Sequence, residues 1–170
     1  MDWFPLLNSL RIAGISTSII FFAGLAAAYY IAKTPPAVKG LLDVALTLPL
    51  VLPPTVIGYL LLRLLGPNRF FGAWFLDVFG TRLTMTWWSA VFATAVVIFP
   101  LMYRTARGAF EAFDETLAYS GQSMGLSDTY IFWRIRMPCC RPGILAGTVL
   151  AFARALGEYG ATSMVAGYIP

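Results

Sequence analysis

The sequence predicts an all-α, polytopic membrane protein, and three observations predict it. Hydrophobic residues make up 59% of the chain and charged residues only 12%, against about 25% charged in an ordinary soluble domain. Mean hydropathy is +0.74. The apolar residues gather into long charge-free blocks, which is how membrane spans read. So few polar side chains could not cover a soluble particle of this size, and the bilayer is the expected surrounding. The net charge of +4 comes without any Lys/Arg-rich run interleaved with aromatics, so nucleic acid is not an expected partner.

Four spans are expected within a single transmembrane domain covering residues 1–170. The first is 12–32, charge-free between Arg11 and Lys33. It is too long for the apolar core of a signal peptide, and Met1-Asp2-Trp3 carries no basic start, so an uncleaved anchor is expected. The second is 44–62, between Asp43 and Arg63, and the third 83–103, between Arg82 and Arg104. At about 1.5 Å per residue each can cross roughly 30 Å of hydrocarbon. The fourth, 142–166, is expected although it contains Arg154 and Glu158.

Basic residues orient the chain. Lys33, Lys39, Arg104, Arg107, Arg134, Arg136 and Arg141 fall on one side, and Arg11, Arg63, Arg69 and Arg82 on the other. The excess makes segment 104–141 cytoplasmic and puts the N-terminus outside. The outer connection 63–82 is rich in aromatics and glycine (Phe70, Phe71, Gly72, Trp74, Phe75, Phe79, Gly80). Interfacial anchoring and docking of a soluble partner both fit it. Pro49, Pro53 and Pro54 interrupt the second span. Each removes a backbone donor, and lipid cannot satisfy the freed carbonyls. Either a kink buried between helices or a break lining a water-filled path is expected there.

Segment 104–141 differs from the rest in being long and polar. Helical propensity in 116–136 is broken at Gly121 and Gly125. Ser127 and Asp128 then offer an N-cap for a second short helix, with Ile131, Phe132 and Ile135 on one face. Pro138 is expected to stop it, and Cys139 and Cys140 to follow in a loop. Two short helices joined near a glycine can form a handle for a soluble partner, or an amphipathic element resting on headgroups.

Gly125, nine residues, Ile135, one residue, Met137 and Pro138 resemble the cytoplasmic signature of ABC-importer permeases, Glu-Ala-Ala, three residues, Gly, nine residues, Ile-x-Leu-Pro. The glycine half matches. Tyr119-Ser120-Gly121 stands where the family has Glu-Ala-Ala, Ala118 is no carboxylate, and the nearest acid is Glu115. Two long stretches, Leu48 to Leu62 and Gly143 to Thr162, resemble the molybdate permease family, whose near relatives carry sulfate, thiosulfate and tungstate. The resemblance runs from about Leu7 to Pro170. It implies an ABC-importer permease fold, with a further membrane helix expected beyond the Gly167–Pro170 region, in a bacterial or archaeal inner membrane. The implied partners are a cytoplasmic ATP-binding subunit, a second permease copy and an extracytoplasmic oxyanion-binding protein. The implied ATPase-coupling residues are Glu115, Ala118, Tyr119, Ser120, Gly121, Met124, Gly125, Leu126, Ile135 and Pro138.

The chain carries no phosphate-binding G-x-x-x-x-G-K-[ST] loop, so ATP belongs to the partner and no cofactor is expected here. With no histidine and only the adjacent Cys139 and Cys140, neither a metal site nor a catalytic site is expected. That argues against a membrane-embedded enzyme. A non-transporting scaffold would have no use for a proline-broken span or intramembrane charges. Pro49, Pro53, Pro54, Arg154, Gly157 and Glu158 are the candidates for the translocation pathway or a subunit interface. Arg154 and Glu158, four residues apart, are expected on one helix face in the outer half of the membrane. Ala153, Gly157 and Ala161 are expected to allow close helix packing. The pair can fix a subunit interface or line an anion path. The interface is favoured, because an acid beside the path would repel a dianion.

Overall fold

The structure, a computed structural model, describes residues 3–66, 86–158 and 162. Among the described residues only helices occur. α1 is Phe4–Ala32, α2 Pro36–Val51, α3 Pro54–Leu65 and α4 Trp87–Glu111. α5 is Glu115–Ser123 and α6 Asp128–Ile131; a π turn at Phe132–Arg136 then leads into α7, Met137–Leu156. The aromatic part of the outer connection and Ala161 lie outside the described residues.

Local chemistry explains the boundaries. α1 ends where Pro35 and Pro36 follow, and Pro36 then occupies the first turn of α2, where a missing N–H costs nothing. α4 opens with a capping box: the Thr86 side chain accepts the Ser89 N–H, and the Ser89 hydroxyl accepts the Thr86 N–H, both at 3.3 Å.

α4 is the central helix. In its most apolar window 67% of residues are buried, against 33% in α1 and 28% in α7, so α1 and α7 flank it. The approach is close because glycines face it. A Cβ on Gly24 would come within 2.9 Å of Met102, one on Gly143 within 2.6 Å of the Ala109 Cβ, and one on Gly147 within 3.0 Å of Thr105. Gly143 and Gly147 form the four-residue small-residue spacing that lets membrane helices meet backbone to backbone. Outside this seam, the Trp87 indole N–H donates to Asn8 Oδ1 at 3.0 Å and the buried Ser16 hydroxyl donates to the Val91 carbonyl at 3.0 Å.

The helices differ from the expected spans in three ways. The first helix begins eight residues earlier than the expected span, at Phe4. The third continues to Glu111, so Arg104 and Arg107 belong to α4 and not to a loop. The second is no straight span: α2 and α3 meet at a bend of 110°. Leu52 is extended (φ −74°, ψ 141°), as a residue before proline prefers, and Pro53 and Pro54 withhold the next two donors. Pro49 lies inside α2 without ending it. Beyond the bend, Ile57 and Leu61 of α3 pack on Ala93 and Val97 of α4.

Pro138 does not stop a helix. Asp128–Leu156 is one continuous rod, and Pro138 falls in the first turn of α7. Just before it, the Met137 N–H donates to the Phe132 carbonyl, five residues back. That wider turn accommodates a ring that would crowd an α-helical carbonyl. Cys139 and Cys140 are therefore helical. Cys140 is buried, its thiol donating to the Ala109 carbonyl at 3.3 Å.

The glycine seam makes a prediction. Gly143→Ala overpacks α7 on α4 and should lower the melting temperature of the purified protein, at a cost of about 1–3 kcal/mol. Gly40→Ala, where a Cβ meets nothing within 4 Å, should hold or raise it. Equal melting temperatures for the two variants would show that the seam is not tight.

Candidate functional site

The segment between α4 and α7 is built on two caps and one left-handed turn. The Asp114 carboxylate accepts the Thr116 N–H at 2.9 Å and starts α5. The same bond holds the Asp114 carboxyl below its usual pKa. α5 ends at Gly125, whose φ of +76° is the left-handed conformation glycine adopts without strain. The Gly125 N–H reaches the Gln122 carbonyl at 2.9 Å and the Leu126 N–H the Gly121 carbonyl at 3.1 Å. These two bonds are a Schellman closure. The Ser127 hydroxyl then accepts the Tyr130 N–H at 3.3 Å and caps α6.

Gly121 is not a break, as expected from its residue type, but a contact. It lies inside α5, and a Cβ there would meet Ile131 Cγ1 at 3.1 Å and Ile135 Cδ1 at 3.3 Å. Ala118 and Gly121 are buried inward, while Ile135 and Leu126 are half-buried in the same core. Tyr119, Ser120, Met124 and Pro138 face outward. Tyr119 is 64% and Met124 79% exposed, so the outer face of α5 is a small apolar surface held on a folded base.

Glu115 is engaged within the chain. Arg136 Nη2 donates to both its carboxylate oxygens, at 2.8 and 2.7 Å, and the guanidinium lies 4.6 Å from the Phe113 ring centroid. Sequence reasoning missed Arg136. Twenty-one residues separate the two, and no local spacing links them. Between α5, the π turn and the end of α1 lies a cavity of about 260 Å³ bordered by Tyr29, Lys33, Glu115, Gln122, Asp128 and Arg136.

A second cluster ties the start of α2 to the end of α4. Arg107 Nη1 lies 2.7 Å from Asp43 Oδ1, Arg107 Nε lies 3.7 Å from Glu111, and Lys39 pairs with Glu111. These contacts bring segment 33–43 to the same end of the molecule as the base of the coupling segment. The count of basic residues had placed both on the cytoplasmic side.

The intramembrane charges pair: Arg154 Nη1 lies 2.8 Å from Glu158 Oε2. They do not share one helix face. α7 ends at Leu156, Gly157 caps it, and the Glu158 N–H turns back to the Ala155 carbonyl at 3.2 Å. The Glu158 side chain is 1% exposed and that of Arg154 35%. Gly143 sits against Ala109 and Gly147 against Thr105. Carried on residue for residue, this antiparallel register sets Arg154 level with Ile98, near the middle of α4. Ala153 and Gly157 are exposed, so they make no seam among the described residues. Pro53 is exposed and Pro49 and Pro54 half-buried, so the α2–α3 bend and the Arg154 pair are not brought into one enclosed site. Among the described residues no cluster of His, Cys, Asp and Glu fit for a metal occurs.

Residues 19–170 match the family of binding-protein-dependent transport system inner membrane components. The chain belongs to this family. The permease is thus a multi-pass inner-membrane transport protein. It is 41% identical over 169 residues to the molybdenum transport system permease protein ModB of Escherichia coli K12, covering 99% of this chain and 74% of that one. It is 37% identical over 166 residues to a putative molybdenum transport system permease protein, YvgM, of Bacillus subtilis 168, covering 98% and 73%. A probable sulfate transport system permease protein, cysT, of Chlorokybus atmophyticus is 32% identical over 162 residues, covering 95% and 56%.

The Schellman closure of the permease gives a direct test. Gly125→Val forces a β-branched residue to positive φ, a strain of about 1–3 kcal/mol. Hydrogen exchange at Gly125 and Leu126 should accelerate while the amides of α7 keep their protection. Unchanged exchange at those two positions would show that the turn is not left-handed.

Proposed function

We propose that this permease is the membrane subunit of an ATP-driven importer of molybdate. The observation that carries the reading is the match to molybdenum permeases along 99% of the chain at 41% identity. A sulfate permease, 32% identical, supports the second reading of a related tetrahedral oxyanion.

In this reading two copies of the chain enclose the anion path, a soluble binding protein delivers the anion from outside, and two cytoplasmic ATPase subunits grip α5. Tyr119, Ser120 and Met124 form the gripped surface, with Leu126, Ile135 and Pro138 around its base. Ala118 and Gly121 let α5 seat on α6 and the π turn, and Glu115 braces that seat through Arg136. ATP binding acts by favouring one of two helix arrangements. Because α6, the π turn and α7 are one rod, displacement of α5 is handed to a membrane helix without an intervening loop. ATP hydrolysis belongs to the partner subunits.

The assembled transporter in proteoliposomes should accumulate molybdate only with internal ATP and binding protein, and excess sulfate should compete weakly. Uptake of labelled sulfate, with no molybdate uptake, would favour the second reading. In the same vesicles Gly125→Val should leave ATP hydrolysis largely intact while molybdate uptake falls, because the gripped surface no longer rides on its base. Coupled transport at the parental rate would remove α5 from the coupling role.

Orientation has its own check. In a variant with Cys139 and Cys140 replaced by serine, Ser127→Cys should react with a membrane-impermeant maleimide only after the cytoplasmic side is opened. Labelling of intact cells would invert the topology.

A further inference from the structure

We propose that Arg154 is a contact point for the transported oxyanion within the membrane-spanning bundle, with Glu158 as the residue that positions it. This rests on the reading of the permease as an oxyanion importer and names a residue of that path.

Three observations converge. The first is position: Arg154 lies in the helix Asp128–Leu156, which is long and apolar enough to cross a membrane, and the glycine register of α7 on α4 sets it level with Ile98. The second is orientation. The carboxylate of the pair is 1% exposed and the guanidinium 35%, so only the cationic member reaches the surface of the chain. The third is the setting. Val149 and Leu150 on the same helix are 67% and 52% exposed, so Arg154 is a cation on an otherwise apolar face. Left against lipid within a span, an arginine is expensive, and such residues face protein or water.

The burial difference answers the objection that an acid beside the path repels a dianion. Glu158 lies behind the guanidinium as seen from the surface, so the approaching anion meets N–H donors first. A guanidinium has five donors in a planar fork. The pair with Glu158 is made through Nη1, and the others can bridge two oxygens of a tetrahedral oxyanion. The carboxylate also sets the strength of the contact. A lone buried arginine would trap a dianion, whereas a path must bind strongly enough to admit its ion and weakly enough to release it. Backed by Glu158, the arginine offers directed donors with little net charge.

The test uses the complete transporter, with its ATPase and binding protein, in proteoliposomes, and molybdate as the probe. The parental transporter must take up molybdate; if it takes up none, the importer reading itself fails, and the variants are built with Cys139 and Cys140 replaced by serine or, should that lower uptake, by alanine. In that background Arg154→Cys should keep binding-protein-stimulated ATP hydrolysis and lose molybdate uptake by about tenfold or more, the loss expected for a charge-assisted hydrogen bond. A cationic methanethiosulfonate reagent should restore part of the uptake, and a neutral one of similar size should not. Glu158→Gln should lower both KM and kcat for uptake, because the unbacked cation holds the anion longer; a purely structural role would lower only the amount of assembled complex. Leu150→Cys, one turn away with Arg154 intact, serves even if the Arg154 variant does not assemble: molybdate should slow its modification by a water-soluble thiol reagent. Parental uptake by assembled Arg154→Cys, equal rescue by the neutral reagent, or a Leu150→Cys that molybdate does not protect would each overturn the proposal.

Discussion

The structure depends on how closely α4 can be approached. In a bilayer the lipid chains are as apolar as leucine, so helices gain little by hiding apolar surface from one another, and close packing has to hold them together. Gly24 on α1 and Gly143 and Gly147 on α7 supply it by having no Cβ where Met102, Ala109 and Thr105 press in. This seam fixes the vertical register of α7. Through that register it decides the level at which Arg154 lies along α4 and where the rod becomes the base of the handle.

Charge is used differently at the two levels of the molecule. At the end of the bundle that carries α5, Lys39, Asp43, Arg107 and Glu111 form a partly exposed cluster across α2 and α4, where solvent screens each pair and no single one is worth much. The handle is neutralised internally by Glu115 and Arg136, so its outward face, with Tyr119 and Met124, presents shape and apolar area. Deep in the bundle only one pair occurs among the described residues, and there the two members are buried unequally. The cluster at the end locates helices, and the deep pair is placed where its cation meets whatever lies against α7.

Much of this was legible in residue types. Charge-free blocks mark the helices, Gly125 marks the break after α5, and Ser127 with Asp128 marks the cap of α6. Reading failed where one residue type has two structural uses. Gly121 reads as a break and is a contact for Ile131. Pro138 reads as a stop, although a π turn can carry a helix through a proline. Arg104 and Arg107 read as lying beyond the third span, yet the helix runs on through them to Glu111, with Arg107 paired. The Gly143 and Gly147 spacing is itself the sign of the seam, whereas Ala153 and Gly157 lie on the exposed side of the same helix. The Glu115–Arg136 bond joins residues that only tertiary folding brings together.

The bend between α2 and α3 bears on how the chain enters the membrane. α2 has 16 residues and α3 has 12. At about 1.5 Å each, neither crosses roughly 30 Å of hydrocarbon alone. During synthesis the two halves emerge before α4, the helix on which Ile57 and Leu61 come to rest. Ile57 and Leu61 are therefore covered only once α4 lies beside them, so the packing of the elbow waits on a helix made after it.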